Sequence, residues 1–314
     1  MPNYQGVWSL SEQYQNASGW PLPPLEGNVG IIAGGSSTNV IQYVFINTLG
    51  DSSDFGDLTQ NKSNMGTGAS STRGLFFGGG AASIDFITIS SRGAASDFGD
   101  ISASSSLDAG VSNETRAVTT VCQGGSAANV MEYVTIATTG NAVDFGDRTV
   151  NVYGSHGACS STRGLFAGGI QSDFVTLVNT MDYITIASAG NASDFGDLTV
   201  ARGLNGSGVV CSSTRSVFMG GDTGSGSNVI DYVTTASTGN AIDFGDMITT
   251  RRYGGAGISS STRGIKAGGY GPSGSTNTID YITIASTGNA SDFGDLTIGS
   301  GYRSGLSNAH GGLS

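Results

Sequence analysis

One stretch, residues 279–297 (IDYITIASTGNASDFGDLT), recurs six times along the chain, with fidelity falling toward the N-terminus. Its Asp-Phe-Gly-Asp core begins at Asp54, Asp97, Asp144, Asp194, Asp243 and Asp292, at intervals of 43, 47, 50, 49 and 49 residues. A period in this range restricts a chain to a propeller or a solenoid, because each copy can bury its apolar face only against its neighbours. Within the best copy, residues 281–285 alternate β-branched and small side chains and read as a strand. A tight turn follows at Thr287, Gly288 and Asn289. Glycine holds its centre in all six copies (Gly50, Gly93, Gly140, Gly190, Gly239, Gly288), which predicts a backbone position with positive φ. A second strand carries the aromatic of the core (Phe55, Phe98, Phe145, Phe195, Phe244, Phe293), the large apolar residue that each copy can bury.

Charged residues make up 12% of the chain, against ~25% in ordinary soluble domains, and glycine contributes 52 of 314 residues. Blandness of this kind suits disorder, but the fixed period supplies strands that can pack. The net charge is −11, and 12 of the 24 acids lie in the six cores. Five more (Asp85, Glu132, Asp182, Asp231, Asp280) stand just before a repeated aromatic, so the acidity belongs to the architecture. With no Lys/Arg run to meet phosphates, nucleic acid is not an expected partner. The first residues lack a basic and apolar leader, and no run of ~18 apolar residues exists, so no signal peptide and no membrane insertion are expected. Cys159 and Cys211 occupy equivalent places four residues before an Arg, which predicts free, half-buried thiols rather than a disulfide.

Residues 1–26 fall outside the repeat. Ser9 and Glu12 stand at capping-box spacing, so a short helix is expected there, stopped by Gly19 and Pro21. The segment holds both tryptophans and four of the five prolines. Trp8, Leu10, Tyr14 and Trp20 are its candidate anchor residues; a cap against the chain's own blades is the alternative. From residue 27 the repeat begins midway, with a strand ending in Gly34-Gly35. Later copies precede that strand with a Thr-Arg pair, at Arg73, Arg116, Arg163, Arg215 and Arg263. The tail from Ser304 resembles the strand leading into Thr262-Arg263, so the C-terminus supplies the strand that the first copy lacks. That arrangement predicts a closed ring of six four-stranded antiparallel blades over residues 27–314, which removes exposed sheet edges.

The paired Gly168-Gly169, the following Tyr183, the bulky Phe195 and the later Arg202 resemble the kelch repeat, over about residues 27–311. The match departs at Phe195, where kelch blades usually carry Trp. The resemblance implies a six-bladed kelch-like β-propeller and leaves function open. The self-similarity and the Gly/Ser/Thr richness also resemble propeller proteins of marine tailed phages. The leader from Tyr4 through Trp8 to Trp20-Pro21 is similar to the start of phage tail and fibre proteins. This second resemblance implies a virion structural protein, on a tail more than a head. It would join other virion proteins in a symmetric assembly through its N-terminal segment and face a host-surface glycan.

Six Asp-Phe-Gly triplets without a phosphate-cradling loop exclude a kinase. Two carboxylates per core are few for calcium. The expectation is instead a structural ladder, in which the Thr-Arg guanidiniums pair with Asp54, Asp97, Asp144, Asp194, Asp243 and Asp292. Sialidases share the six-bladed form, but their Asp box has a different register. The copper of kelch-type galactose oxidase needs more than His156 and His310, which read as surface residues. No cofactor, no metal and no catalytic residue is therefore expected. The copies differ most after the paired glycines. The first three need three residues or fewer to regain the strand, and the later three span 170–178, 222–227 and 270–276. Candidate ligand-loop residues are Asp173, Phe174, Asp222 and Tyr270, on one variable face of a rigid scaffold. The reading is a non-enzymatic, attachment-type virion propeller. The alternatives are a glycan-degrading propeller enzyme and a protein–protein interaction module.

Overall fold

The computed structural model describes residues 23–122, 126–203 and 210–313, and the anchor candidates Trp8, Leu10, Tyr14 and Trp20 lie outside them. Each copy of the repeat folds into one blade of a six-bladed, all-β propeller; blades 1–6 are numbered here by their cores at Asp54 to Asp292. Blade 2 shows the pattern from inside outward: Gly66–Ala69, Arg73–Phe77, Ala81–Thr88 and Ser96–Ser105. Blade 1 is completed from the far end of the chain, where Ser304–Ser307 pairs antiparallel with Val29–Ala33 in the register Gly30↔Ser307 to Ala33↔Ser304. The ring therefore closes through the C-terminal strand. In blade 5 the described part of the inner position is held by the Cys211↔Ser216 bridge and by the Val217 amide on the Val210 carbonyl.

The Asp-Phe-Gly-Asp core is a β-bulge. In blade 1 Ile41 lies opposite Gly56 and Gln42 opposite Asp54, so Phe55 is an extra residue between them; the same shift recurs in all six blades. A bulged residue leaves the ladder. Its ring turns inward to meet the third-strand aromatic edge-on, as in Tyr133–Phe145 at 5.8 Å, and its carbonyl points to the next blade. There the turn glycine donates to it: Gly93 to Phe55, Gly140 to Phe98, Gly190 to Phe145, Gly239 to Phe195, Gly288 to Phe244 and Gly50 to Phe293, at 2.6–2.9 Å. Contact is so close that a Cβ on Gly56 (φ 152°) would sit 2.2 Å from the Gly93 carbonyl oxygen. The turn glycines themselves have φ of 146–158°, as the repeat predicts.

The expected Arg–Asp ladder is not what joins the blades. All six first aspartates (Asp54, Asp97, Asp144, Asp194, Asp243, Asp292) are exposed on the outer strands. The Thr-Arg guanidiniums start from the second strand and lie over their own blade's third-strand ring, 4.2–4.7 Å from its centroid. Each then donates to a carbonyl of the following blade: Arg73 to Ile136, Arg116 to Ile186, Arg163 to Thr235, Arg215 to Ile284 and Arg263 to Ile46. A planar guanidinium satisfies ring and carbonyl together, and the outer carboxylates are better left in water.

A different ladder does exist, buried between blades. The third-strand acids Asp85, Asp182, Asp231 and Asp280 pair with Lys62, Arg148, Arg202 and Arg251 of the preceding blade at 2.8–3.1 Å, with side chains at most 2% exposed. Burial lowers the pKa of all four cations, and each aspartate opposes that shift. Two rungs differ. Glu132 accepts from the Ser102 amide at 3.0 Å, and nearby Asp108, pushed up by burial to about 7, bonds Ser105 instead of a cation. At the closing seam Gln42 replaces the acid and accepts from Thr297 N and Oγ1 at 3.0 and 2.7 Å. Two charges removed from water gain little net stability, whereas removing one strands the other. Asp231→Ala is therefore expected to cost about 3–5 kcal/mol in denaturant unfolding, and Arg202→Met with Asp231→Leu to recover most of that loss.

Lys266 is a buried charge without such a rung. It stands where the other blades carry Ile32, Phe76, Thr119, Phe166 and Phe218. Burial, reinforced by the charges of Arg251 and Arg202, lowers it from 10.5 to about 7. The unfolded chain then binds this proton more tightly than the folded chain between those two values, so Lys266 makes stability rise with pH across that window. Lys266→Met should raise the melting temperature at pH 7 by at least about 2 °C, with the gain shrinking toward pH 10.

Candidate ligand-binding face

In a four-stranded meander, the turns joining strands 1–2 and 3–4 share one face, and the 2–3 loops share the other with the blade-to-blade linkers. The first face carries the Thr-Arg and Thr-Gly-Asn turns and is nearly uniform. The chain also enters there: the Leu25 amide donates to the Ser90 carbonyl at 2.8 Å, and the Leu25 side chain is buried.

The opposite face is lopsided. In blades 4 and 5 the second strand runs past the paired glycines, as Arg163–Ile170 and Arg215–Asp222. In blade 6 it continues as a small hairpin, Tyr270–Gly271 with Gly274–Ser275. This hairpin meets two linker tyrosines, Tyr253 after blade 5 and Tyr302 after blade 6. Tyr253 and Tyr302 stack with centroids 5.8 Å apart and planes 25° apart, and Tyr270 closes a triangle at 6.3 Å from each. Tyr302 holds φ at 62°, a strained value that aims its ring into the group. The Arg252 guanidinium lies 4.8 Å from the Tyr253 centroid, and its Nε donates to Asp222 Oδ1 at 2.9 Å; this hydrogen bond raises the Arg252 pKa. The groove beside them holds about 500 Å³ and is lined by Thr250, Arg252, Tyr253, Tyr270 and Pro272, among others. Burial pushes the phenols of Tyr253 and Tyr302 up, so both remain neutral O–H groups at ordinary pH.

Of the loop residues expected from sequence, Tyr270 lines this groove, and Asp222 is buried behind it on the Arg252 guanidinium. Phe174, 64% exposed, lies 5.3 Å from Tyr153 on the same face; burial raises Tyr153, with the charges of Asp173 and Asp222 adding to it. Asp173 shapes its own loop: Oδ1 accepts from the amides of Val175 and Thr176 at 3.0 and 2.8 Å, and bonds from Thr176 hold its carboxyl down. Sequence reasoning missed Tyr153, Arg252, Tyr253 and Tyr302. The signal was there, since these tyrosines stand nine or ten residues after the core in three linkers.

A second constellation sits at the uniform face, where the inner strands end around the axis. Their last residues are Ala69, Ser112, Cys159, Cys211, Ser259 and Ser307. The tail beyond Ser307 crosses this mouth, and His310 enters it. The expectation of surface histidines is corrected here, since His310 is 1% and His156 0% exposed. The tail overshoots its strand into the channel, and His156 opens the inner strand His156–Cys159. The thiols expected to be half-buried are fully buried, with Cys159 and Cys211 Sγ 4.0 Å apart. Inner strands are the closest neighbours in the ring, which brings equivalent residues together near the axis.

No protein-family model matches the chain, and no curated protein matches it in a sequence search.

Proposed function

We propose that this propeller is a non-enzymatic attachment module of a tailed-phage virion, presenting its tyrosine-bearing face to a host-surface glycan while the N-terminal segment joins it to other virion proteins. The observation that carries this reading is the Tyr253–Tyr270–Tyr302 group on the variable face. Rigid aromatic rings with neutral hydroxyls give sugars an apolar platform and a hydrogen-bonding edge at little entropic cost. Asp222, buried behind the groove, is engaged by Arg252, so it fixes the guanidinium that lines the groove rather than donating a proton there. Polarity supports the same reading: Leu25 straps the incoming chain to the face opposite the groove, so attachment and presentation do not compete. The phage assignment rests on the leader and on the repeat's resemblance to phage propellers.

The full chain should bind intact cells or purified surface polysaccharide of a susceptible bacterium, and Tyr253→Ala with Tyr302→Ala should weaken that binding about tenfold or more. A chain starting at residue 27 should fold and bind as well, yet fail to enter particles. Polysaccharide binding that is indifferent to the tyrosines would refute the face assignment, and release of shortened glycan would mark an enzyme.

A further inference from the structure

We propose that Cys159, Cys211 and His310 form a buried site for a divalent, thiolate-preferring cation, Zn²⁺, that staples the C-terminal tail across the propeller axis. Cys159 Sγ lies 4.0 Å from Cys211 Sγ and 3.6 Å from His310 Nδ1, and the three ligand atoms lie within 4.8 Å of one another. Tetrahedral zinc with ordinary Zn–S and Zn–N bonds spaces two sulfurs by about 3.8 Å and sulfur from nitrogen by about 3.6 Å. The Cys159–Cys211 and Cys159–His310 separations match these spacings to within a few tenths of an ångström, and Cys211 Sγ lies within 4.8 Å of the imidazole.

The imidazole is set up as a ligand. Its Nε2 faces the Ala69 carbonyl oxygen at 3.2 Å, so Nε2 carries the proton. Nδ1 is then the unprotonated nitrogen and lies 3.6 Å from Cys159 Sγ; it accepts from the Gly312 amide at 3.1 Å, a bond that a metal on Nδ1 would displace. A second polar partner that fixes the tautomer is the usual support of a metal-binding histidine. The tail is fitted just as tightly: a Cβ on Gly312 would stand 2.0 Å from the Ser112 carbonyl oxygen and 3.0 Å from Cys159 Sγ.

Charge selects the ion. All three side chains are buried. Two thiolates and one divalent cation sum to zero, which is the cheapest charge state for a site shut off from water. A monovalent cation would leave a buried negative charge, and hard cations such as Mg²⁺ avoid sulfur. Zinc enters with release of the thiol protons to solvent and without any change of oxidation state. The ligands come from blades 4 and 5 and from the tail that follows the closing strand of blade 1. Metal therefore couples ring closure to the far side of the ring.

The test uses the full chain expressed in zinc-supplemented medium and purified under reductant. Elemental analysis should find about one zinc per chain. Cys211→Ser and His310→Gln should lower metal content about tenfold or more, while Cys122→Ser keeps it. The cobalt-grown chain should show thiolate-to-cobalt charge-transfer absorption, a reading that needs no variant to fold. Wild-type chain without zinc and without that absorption would overturn the site. Equal zinc in the variants would show adventitious metal only and overturn it as well. A Cys159–Cys211 disulfide in chain that takes no cobalt after reduction would replace the metal site with a redox pair. None of these outcomes bears on glycan binding at the opposite face.

Discussion

The structure depends on one junction: the four residue pairs by which Ser304–Ser307 lies along Val29–Ala33. Every other blade is built from one continuous stretch and would fold locally. Blade 1 cannot, and without its borrowed inner strand the ring has two free edges. An open propeller exposes backbone donors and acceptors to any other chain, so closure decides between a discrete particle and an aggregating one. The interlock between blades then becomes cyclic, and each bulged Phe carbonyl finds the turn glycine of its neighbour all the way round, including Gly50 on Phe293.

The seam is chemically unlike the other junctions. Four of them carry a buried ion pair; the closing one carries Gln42, and Arg303 behind it bonds the Ile298 carbonyl. Burial lowers Arg303 to about 10. A neutral amide at the seam lets the last strand dock without first desolvating two charges. The tail then crosses the axis to blades 4 and 5, adding contact remote from the seam. Rigidity gained this way is what a variable face needs if its loops are to hold tyrosines in fixed geometry.

Much of the fold was legible because the repeat repeats. Period, strand alternation, turn glycines and the mid-blade start determine the number of blades and the closing strand. The ladder was misread for a physical reason. Asp-Phe-Gly-Asp looks like a continuous alternating strand, but the bulge at Phe55 and its equivalents turns the first Asp to solvent and frees a carbonyl. The buried ladder was hidden because it is incomplete: Lys62, Arg202 and Arg251 follow the start of the core by eight residues, but Arg148 follows by four, and Glu132 and Gln42 face no paired cation among the described residues. Asp222 and Tyr270 could be picked out because they sit in lengthened loops. Tyr253 and Tyr302 were overlooked because linkers of similar length conceal a change in residue type. Nothing local in the sequence places His310 beside Cys159; that follows only once the ring has closed.

Amide hydrogen exchange under native conditions tests closure most directly. Amides of Val29–Ala33 and Ser304–Ser307 are expected to exchange only with global unfolding, as slowly as those of the continuous strand Arg163–Ile170 in blade 4. Exchange at the seam roughly a hundredfold faster than in blade 4, at equal denaturant dependence of the core, would show a ring that opens on its own and would contradict closure.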